Sequence, residues 1–352
     1  MDFRIFVHID FINQRIKIKV LYKLYKLNLL KAQWKGVNID LKISEISKFN
    51  PEFTSSVITI GSFDGIHLGH RKLMELTKDY ASKLNLPSVV LTFHPHPLKI
   101  LHPEERIHLI TTFEKKVELI EAIGIDYLIY ITFTPEFAKM TPEDFIENVI
   151  VKKLNPVKVI VGHDFGFGVG KSGNTLLLEK LANELNFDLT VVGPVKMGKK
   201  IVSSTIIRRF VLLGQVCAVK RFLGRHYSVH GKVVKGSGRG KSLGFPTANI
   251  IPEEELFPKD GVYATLVKVD NEFHDSVTNV GSNPTFNEEI RRIETYIFNF
   301  DKDLYDREIE VFFVARLRPE IKFDNSASLE NRIKKDIALA AVILSKEHAA
   351  PI

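Results

Sequence analysis

Hydrophobic positions in the first part of the chain alternate between short continuous runs and helical spacing. The runs predict five strands: VITI (57–60), SVVLTF (88–93), DYLIYIT (126–132), VKVIV (157–161) and DLTVV (188–192). Apolar side chains from Leu73 to Leu84 recur at helical spacing, and residues 111–124 begin with threonine and end with glycine, as a capped helix does. This alternation predicts an α/β domain whose mostly parallel sheet carries helices on both faces.

The pattern changes after about residue 200. Residues 203–214, SSTIIRRFVLLG, combine a hydroxyl cap, an apolar face and a terminal glycine, which predicts a short helix. Short strands separated by turn residues follow, and they predict an antiparallel barrel or sandwich. They are YSVHGKVVKG (227–236), GVYATLVKV (261–269), DSVTNV (275–280), RIETYIFNF (292–300) and EIEVFFVARL (308–317). Residues 326–347 read as one final helix.

These patterns divide the chain into four parts. We predict an N-terminal extension over residues 1–50, a sheet domain over 51–200, a helical linker over 201–225 and a barrel domain over 226–346. The extension is apolar but interrupted by charges, so it lacks the features of a signal peptide or a membrane span. A cationic amphipathic helix at residues 20–31 is the alternative to a poorly ordered segment. The sequence leaves self-association open.

Composition narrows the kinds of partner. A net charge of +7 favours anionic ligands such as nucleotides. No dense lysine and arginine patch with interleaved aromatic residues is visible, so nucleic acid is not an expected partner. The single cysteine, Cys217, excludes an internal disulfide framework and a cysteine-based zinc site, and it fits the reducing cytoplasm.

The stretch GSFDGIHLGH (61–70) places two histidines, His67 and His70, between a predicted strand and a predicted helix. One interpretation is a zinc site completed by Asp64, His94 or His96. The other is phosphate binding, because free N–H groups and the helix dipole favour an anion at a helix start. The position favours phosphate, with imidazole groups donating to oxygens as charge builds. Purely structural histidines are the third alternative.

The same stretch resembles the nucleotidyltransferase signature that ends in H-x-G-H. Its fuller form, G-x-F-D-G-x-H-x-G-H, resembles the adenylyltransferase module of the bacterial bifunctional riboflavin kinase/FAD synthetase family. Three further motifs follow in that module's order: TFHPHP (92–97), VGHDFGFG (161–168) and VSSTIIRR (202–209). Four more resemble its kinase module: SLGFPTAN (242–249), GVYA (261–264), NVGSNPTF (279–286) and RIETYIFNF (292–300). The resemblance covers roughly residues 50 to 345.

The resemblance implies a fold and an activity. The expected fold is a Rossmann-like nucleotidyltransferase domain with a parallel sheet, followed by an antiparallel β-barrel riboflavin kinase domain with a C-terminal helix. The barrel would phosphorylate riboflavin with ATP and Mg²⁺ to give FMN. The sheet domain would join AMP to FMN, giving FAD and pyrophosphate. The alternatives are a nucleotidyltransferase for another phosphorylated substrate with a regulatory barrel, and a flavin- or nucleotide-binding regulator without catalysis.

The resemblance also implies site residues in the sheet domain. His67 and His70 are the expected catalytic residues. The expected ATP-binding residues are Gly61, Ser62, Phe63, Asp64, Ser203, Ser204, Thr205 and Arg208. The expected flavin-binding residues are Phe93, Pro95, His96, Pro97 and Asp164. Arg208 would clamp phosphates from one turn beyond the Ser-Ser-Thr cap, and TFHPHP would leave its strand as a stiff, non-helical loop. Gly166 stands where the family often has arginine, which puts one contact in doubt.

In the barrel, Thr247 and Asn249 lie two apart in a predicted extended segment, so their oxygens point to one side. Taken alone they are a turn before a strand, whereas the resemblance implies that they hold Mg²⁺ and ATP. Gly240 and Lys241 would contact ATP through a glycine-rich turn, although its spacing is one residue too short for a P-loop.

Alternation places Glu294 on one face of its strand with Tyr296, Phe298 and Phe300. Position alone leaves two interpretations open. One is a general base, and the other is an exposed residue that pairs with Arg291 or Arg292. The resemblance implies the general base, which accepts the proton of the ribityl hydroxyl.

Overall fold

A computed structural model describes residues 41–105, 107–236, 238, 240, 243–253, 256–285 and 288–348. The side chains of residues 282–291 and 348 are not described within these ranges. Lys241, predicted to contact ATP, and residues 1–40 of the predicted extension therefore lie outside the described part. The chain from Leu41 onward forms one compact unit.

Six parallel strands form the first sheet, in the order β1-β4-β3-β2-β5-β6. Their bounds are β1 Lys42–Glu45, β2 Ser56–Ile60, β3 Ser88–His94, β4 Tyr127–Thr132, β5 Pro156–Gly162 and β6 Asp188–Val192. The five predicted strands are confirmed. Strand β1 was not predicted, and it pairs parallel with β4 at the sheet edge. The segment set aside as an N-terminal extension therefore includes a strand of the sheet.

Helices cover both faces of this sheet, as predicted. They are α1 Leu68–Leu84, α2 Pro97–Leu101, α3 Phe113–Ile123, α4 Pro142–Asp144, a π-helix Phe145–Val151, α5 Lys152–Leu154 and α6 Thr175–Glu184. Neighbouring residues of β2 show the layering, since Val57 packs into one hydrophobic core and Ile58 into the other. Thr112 caps α3 by accepting a hydrogen bond from the Lys115 N–H, and Gly124 ends it in the left-handed region, so the predicted capped helix is confirmed.

A hairpin and two helices connect the sheet to the barrel. The hairpin consists of β7 Lys196–Met197 and β8 Lys200–Ile201, and the helices are α7 Ser204–Leu212 and α8 Val216–Leu223. The predicted helix after residue 203 is confirmed as α7. Buried side chains of both helices, including Ile207 and Val219, belong to the same hydrophobic core as the barrel interior.

Six antiparallel strands close into a barrel in the order β10-β13-β12-β11-β14-β9, which decides between the predicted barrel and sandwich. Their bounds are β9 Tyr227–Val234, β10 Ala248–Pro252, β11 Gly261–Val269, β12 Glu272–Thr285, β13 Glu288–Ile297 and β14 Glu308–Arg318. The final helix, α9 Ser326–His348, packs on the outside of the barrel through Ala340 and Leu344. No helix in the described ranges combines the length and apolar character needed to cross a membrane.

Candidate active sites

The loop after β2 has an unusual backbone that its neighbours hold in place. Phe63, Gly65 and Ile66 all lie at positive φ, with values of 48°, 88° and 37°. Such a conformation is costly for phenylalanine and for a β-branched residue, so other contacts must stabilise it. The carboxylate of the buried Asp64 accepts hydrogen bonds from the backbone N–H groups of Ile110 at 2.9 Å and Thr111 at 3.3 Å. These contacts fix the signature loop at the carboxyl end of β2.

The two signature histidines form a stacked pair at the start of α1. His67 is the N-cap of the helix, and its Nδ1 accepts a hydrogen bond from the His70 backbone N–H at 3.2 Å. The ring centroids lie 3.6 Å apart with 19° between the planes. A methyl group at Gly69 would lie 3.1 Å from the His67 ring, so this glycine makes room for the imidazole. Because Nδ1 is an acceptor, neutral His67 carries its proton on Nε2 and can donate it to a ligand.

Burial keeps both imidazoles neutral near pH 7. Desolvation lowers the pKa of His67 to about 4. The pKa of His70 is also well below its ordinary value, first through desolvation and then through its neighbours His67, Lys116 and Arg225. Nδ1 of His70 is buried and has no hydrogen-bond partner among the described residues. The pair therefore offers N–H donors without the cost of two adjacent positive charges.

The arginine predicted to clamp phosphate is bound to the signature loop. Arg208 Nη2 lies 2.6 Å from Asp64 Oδ2, and its Nε donates to the His108 carbonyl at 3.0 Å. Asp64 is therefore a structural partner of the arginine and of backbone N–H groups in this structure. The guanidinium group has five N–H bonds, and these contacts leave donors over for a ligand.

The Ser-Ser-Thr segment caps α7 and joins it to the signature loop. The Ser203 side chain is the N-cap and accepts from the Ile206 N–H at 3.4 Å. Ser204 Oγ donates to the Asp64 carbonyl at 2.9 Å, while Thr205 is exposed. The predicted cap is thus confirmed, and Ser204 contacts the signature loop, while phosphate binding by this segment stays a prediction.

The residues predicted to form the flavin wall lie around the end of β3. Phe93 packs edge-on against Phe133, with ring centroids 5.7 Å apart. His94 and Pro95 are joined by a cis peptide bond. Asp164 is exposed, and its charge acts on His67. Gly166 is half-buried, and a methyl group there would meet the Lys171 side chain at 3.4 Å.

The prediction of a non-helical exit after β3 is confirmed for Pro95 and His96 and wrong for Pro97. Pro97 is the first residue of α2, where a proline is tolerated because the first helical N–H groups have no partner within the helix. His96 caps this helix by accepting from the Leu98 N–H at 3.2 Å. Desolvation, followed by the charge of Lys116, lowers the pKa of His96 to about 3.

Two cations close to the signature were missed by sequence reasoning. Lys116 is 5% exposed, and its Nζ donates to the Ser62 carbonyl at 2.6 Å. Arg225, in the segment that follows α8, donates to the carbonyls of Gly65 at 2.7 Å and Ile66 at 3.1 Å. Lys116 could have been found, since it shares the buried face of α3 with Ile120, four residues on. No sequence signal marks Arg225.

The structure does not support the zinc interpretation. Among the described residues, one group of three or more metal-capable side chains lies within 4.8 Å of one another, and its members are His102, Glu104 and Glu105. The members of this group are exposed, and they include neither histidine of the signature.

The predicted residues of the barrel site meet across neighbouring strands. Asn249 on β10 lies opposite Glu294 on β13, and Glu294 also faces Asn279 on β12. Asn249 is 8% exposed, and its Oδ1 has no hydrogen-bond partner among the described residues. Thr247 directly precedes β10 and is half-buried. A buried amide oxygen without a donor suits a hard cation, which takes oxygen ligands.

Two glycines of the turn before β10 approach these side chains closely. A methyl group at Gly236 would lie 2.1 Å from Asn249 Nδ2, and one at Gly240 would lie 3.2 Å from Thr247 Oγ1. The glycine-rich turn therefore packs over the predicted metal and ATP residues. That Gly240 binds ATP stays a prediction.

The aromatic face around Glu294 is shorter than predicted. Glu294 and Tyr296 share one face of β13, and the Tyr296 ring contacts Phe298 with centroids 5.8 Å apart. The prediction for Phe300 is wrong, because alternation ends with the strand. Asn299 lies at φ 51°, and Phe300 packs against the core of the barrel interior instead.

Two family models match the chain in sequence order. The model described as FAD synthetase matches residues 49–206, which contain the His67–His70 site. The model described as riboflavin kinase matches residues 223–344, which contain Asn249 and Glu294. The two histidines and the Asn249–Glu294 pair therefore fall in two separately recognised modules, whereas Arg208 lies between the matches and Arg225 within the second.

Curated relatives carry both modules in one chain, and each is named bifunctional riboflavin kinase/FMN adenylyltransferase. A relative from Buchnera aphidicola subsp. Schizaphis graminum is 34% identical over 84% of this chain and 96% of its own length. A relative from Escherichia coli K12 is 33% identical over 80% of this chain and 90% of its own. A relative from Bacillus subtilis is 35% identical over 81% of this chain and 91% of its own length.

A solved structure shares this architecture over most of the chain. It is named as a macrolide-efflux protein from Streptococcus pneumoniae, with a TM-score of 0.78 and 30% identity, and it covers 86% of this chain and 99% of its own. That name attributes efflux to the solved protein, whereas both family models and the relatives above name flavin enzymes. This chain therefore belongs to the bifunctional riboflavin kinase/FMN adenylyltransferase family, whose members convert riboflavin to FMN and FMN to FAD.

Proposed function

We propose that the two reactions occur at the two sites described above. FMN adenylylation takes place at the His67–His70 pair in the sheet domain, predicted over residues 51–200. Riboflavin phosphorylation takes place around Thr247, Asn249 and Glu294 in the barrel domain, predicted over 226–346. The observation that supports the second assignment most is the buried Asn249 oxygen opposite Glu294, which has no hydrogen-bond partner within the described part of the chain. Because the reactions need ATP and the chain has one cysteine, we place the protein in the cytoplasm.

In the adenylyl transfer, a phosphate oxygen of FMN attacks the α-phosphorus of ATP, and pyrophosphate leaves. The attacking oxygen is already anionic, so this step needs no strong base. The catalytic demand is to hold two anions in line and to stabilise the charge that moves onto the leaving group. Neutral His67 and His70 supply N–H donors, and Arg208 supplies positive charge that Asp64 holds in position.

In the phosphoryl transfer, the ribityl hydroxyl of riboflavin attacks the γ-phosphorus of ATP, and ADP leaves. Glu294 accepts the proton of that hydroxyl. Thr247 and Asn249 would hold Mg²⁺ through their side-chain oxygens, and the ion would neutralise charge on the ATP phosphates. The glycines at positions 236 and 240 allow the turn to pack against these two side chains.

The test follows flavins by chromatography after incubation with ATP and Mg²⁺. From riboflavin, the wild-type protein is expected to make FMN and FAD. Glu294→Gln keeps the size of the side chain and removes the proton acceptor, so we expect at least a 100-fold loss of FMN formation. Given FMN directly, this variant should still make FAD at the wild-type rate.

Asn249→Ala tests the metal assignment separately. Removing the buried oxygen should raise the Mg²⁺ concentration needed for half-maximal FMN formation about tenfold or more and leave FAD formation from FMN unchanged. Wild-type Mg²⁺ dependence in a folded Asn249→Ala protein would rule out Asn249 as a ligand.

A further inference from the structure

The buried lysine Lys116 lies where several parts of the sheet-domain site meet. Its Nζ donates to the Ser62 carbonyl of the signature loop at 2.6 Å and lies 3.5 Å from Thr92 Oγ1 at the end of β3. Thr92 Oγ1 in turn donates to the same Ser62 carbonyl at 3.3 Å. Lys116 therefore joins α3 to the carboxyl ends of two adjacent strands, which is where ligands of parallel sheets bind.

This ammonium group has no carboxylate partner at ion-pair distance among the described residues. The charged and titratable groups around it are Asp64 in the signature loop, His70 on α1 and His96 before α2. The Asp64 carboxylate is already bound to Arg208 and to backbone N–H groups. A buried cation without a bound anion is costly, and among the described residues that cost is offset by a carbonyl oxygen, a hydroxyl oxygen and the more distant charge of Asp64. An anion at this site would complete the pairing.

The adjacent lysine shows that this arrangement is specific. Lys115 is bound to Glu118 at 3.0 Å and to Glu310 of the barrel at 2.8 Å. Thus two consecutive lysines of α3 have opposite roles. The charge of Lys115 is neutralised by Glu118 and Glu310, whereas the charge of Lys116 lies beside the signature loop at the proposed nucleotide site.

The contact with Ser62 also orients the signature loop. In a trans peptide the N–H points away from the carbonyl, so the bond from Lys116 to the Ser62 oxygen fixes the direction of the Phe63 N–H. Phe63 lies at φ 48°, where the backbone would otherwise relax. Lys116 thus stabilises a strained turn at the point where the loop meets its ligand.

We propose that Lys116 is a positioning residue for adenylyl transfer, whose protonated ammonium holds the Ser62 carbonyl and pairs electrostatically with the phosphates bound beside the signature loop. This inference rests on the proposal that FAD forms at the His67–His70 site. The phosphates concerned are those of ATP, FMN or the departing pyrophosphate.

The protonation state of Lys116 should determine how FAD formation depends on pH. Desolvation lowers its pKa to about 8, and the charge of Asp64 limits that decrease. The active, protonated form is therefore lost as the pH rises through 8. We expect kcat/KM for FAD formation from FMN to fall about tenfold between pH 7 and pH 9. Riboflavin phosphorylation by the same protein, at the other site, serves as the internal control for stability and for ATP and Mg²⁺.

Three variants test whether Lys116 causes this decline of FAD formation at alkaline pH. Lys116→Met keeps the length of the side chain without charge, and we expect its FAD formation to fall about 100-fold at pH 7 and to lose the decline toward pH 9. Lys116→Arg keeps the charge to higher pH, so it should retain part of the activity without the alkaline decline. Lys72→Met, an exposed lysine on α1, is the matched control and should behave as wild type.

The outcomes separate this inference from the proposed function. A wild-type protein that forms no FAD would overturn the assignment of the reaction. A wild-type protein that forms FAD without any alkaline decline would overturn the inference alone, as would Lys116→Met with at least half of wild-type activity. If Lys116→Met does not fold, as judged by lost FMN formation, Lys116→Arg provides the test. An alkaline decline of FAD formation that is unchanged in Lys116→Arg would show that another group causes it and would overturn the inference.

Discussion

At the scale of single residues, the His67–His70 pair combines two roles that sequence patterns usually separate. His67 is a helix cap, and the same hydrogen bond that caps the helix fixes which nitrogen carries the proton. A structural role and a chemical role therefore depend on one contact. Burial favours the neutral rings, so the donors at this site do not depend on protonation near pH 7.

Replacing His67 by alanine should remove one oriented donor from the adenylyl-transfer site. The loss of such a donor typically costs 10²- to 10³-fold in rate, or about 2.7–4 kcal/mol, so FAD formation should fall by that factor. FMN formation by the barrel should remain within twofold of wild type. His102→Ala, at an exposed histidine after α2, is the control and should leave both rates unchanged. Loss of both activities in a folded His67→Ala protein would contradict independent sites.

His96 should make the folded protein sensitive to acid. Its pKa is about 3 in the folded protein and near 6.5 in the unfolded chain, so below pH 6.5 the unfolded state binds the extra proton. Stability should fall as the pH decreases, and by pH 5 the protonation of this residue should lower the free energy of unfolding by about 2 kcal/mol. His96→Asn keeps a capping acceptor without the titration. In urea unfolding, the free energy of unfolding should decrease less between pH 7 and pH 5 in the variant than in the wild type. An equal decrease in both proteins would show that other groups cause the sensitivity to acid.

At the scale of elements, strands and helices followed from the apolar pattern, whereas the contacts between them did not. The five predicted strands and α3 were predictable because their apolar spacing and caps are local. The edge strand β1 was missed because its four residues, KISE, show no buried run. The contact of Arg225 with the signature loop joins residues 160 positions apart, and no local pattern encodes it.

Arg225 links the segment after α8 to the loop that carries His67. It donates to the carbonyls of Gly65 and Ile66, both at positive φ, and desolvation lowers its own pKa to about 10. Arg225→Gln should leave this loop less ordered and lower FAD formation about 10- to 100-fold, with FMN formation retained. Arg221→Gln, at an exposed arginine on α8, is the control. Rates of FAD formation that match in the two variants would show that the loop holds its shape without Arg225.

At the scale of the whole molecule, two modules share one compact unit. Lys115 of α3 and Glu310 of β14 form an ion pair between them, and α7 and α8 pack into the core of the barrel interior. The candidate sites nevertheless use separate residues, His67 and His70 in the sheet and Asn249 and Glu294 in the barrel. We therefore predict that FMN made at the barrel site of one molecule can be used by the sheet-domain site of another molecule.

Mixing two single-site variants tests this claim most directly. His67→Ala alone, given riboflavin, ATP and Mg²⁺, should accumulate FMN, and Glu294→Gln alone should leave riboflavin unchanged. An equimolar mixture of the two folded proteins should produce FAD, because each supplies the step that the other lacks. FMN without FAD in the mixture, while Glu294→Gln alone converts added FMN to FAD, would contradict free exchange between sites. Failure of Glu294→Gln to convert added FMN would contradict the assignment of the two reactions to separate residues.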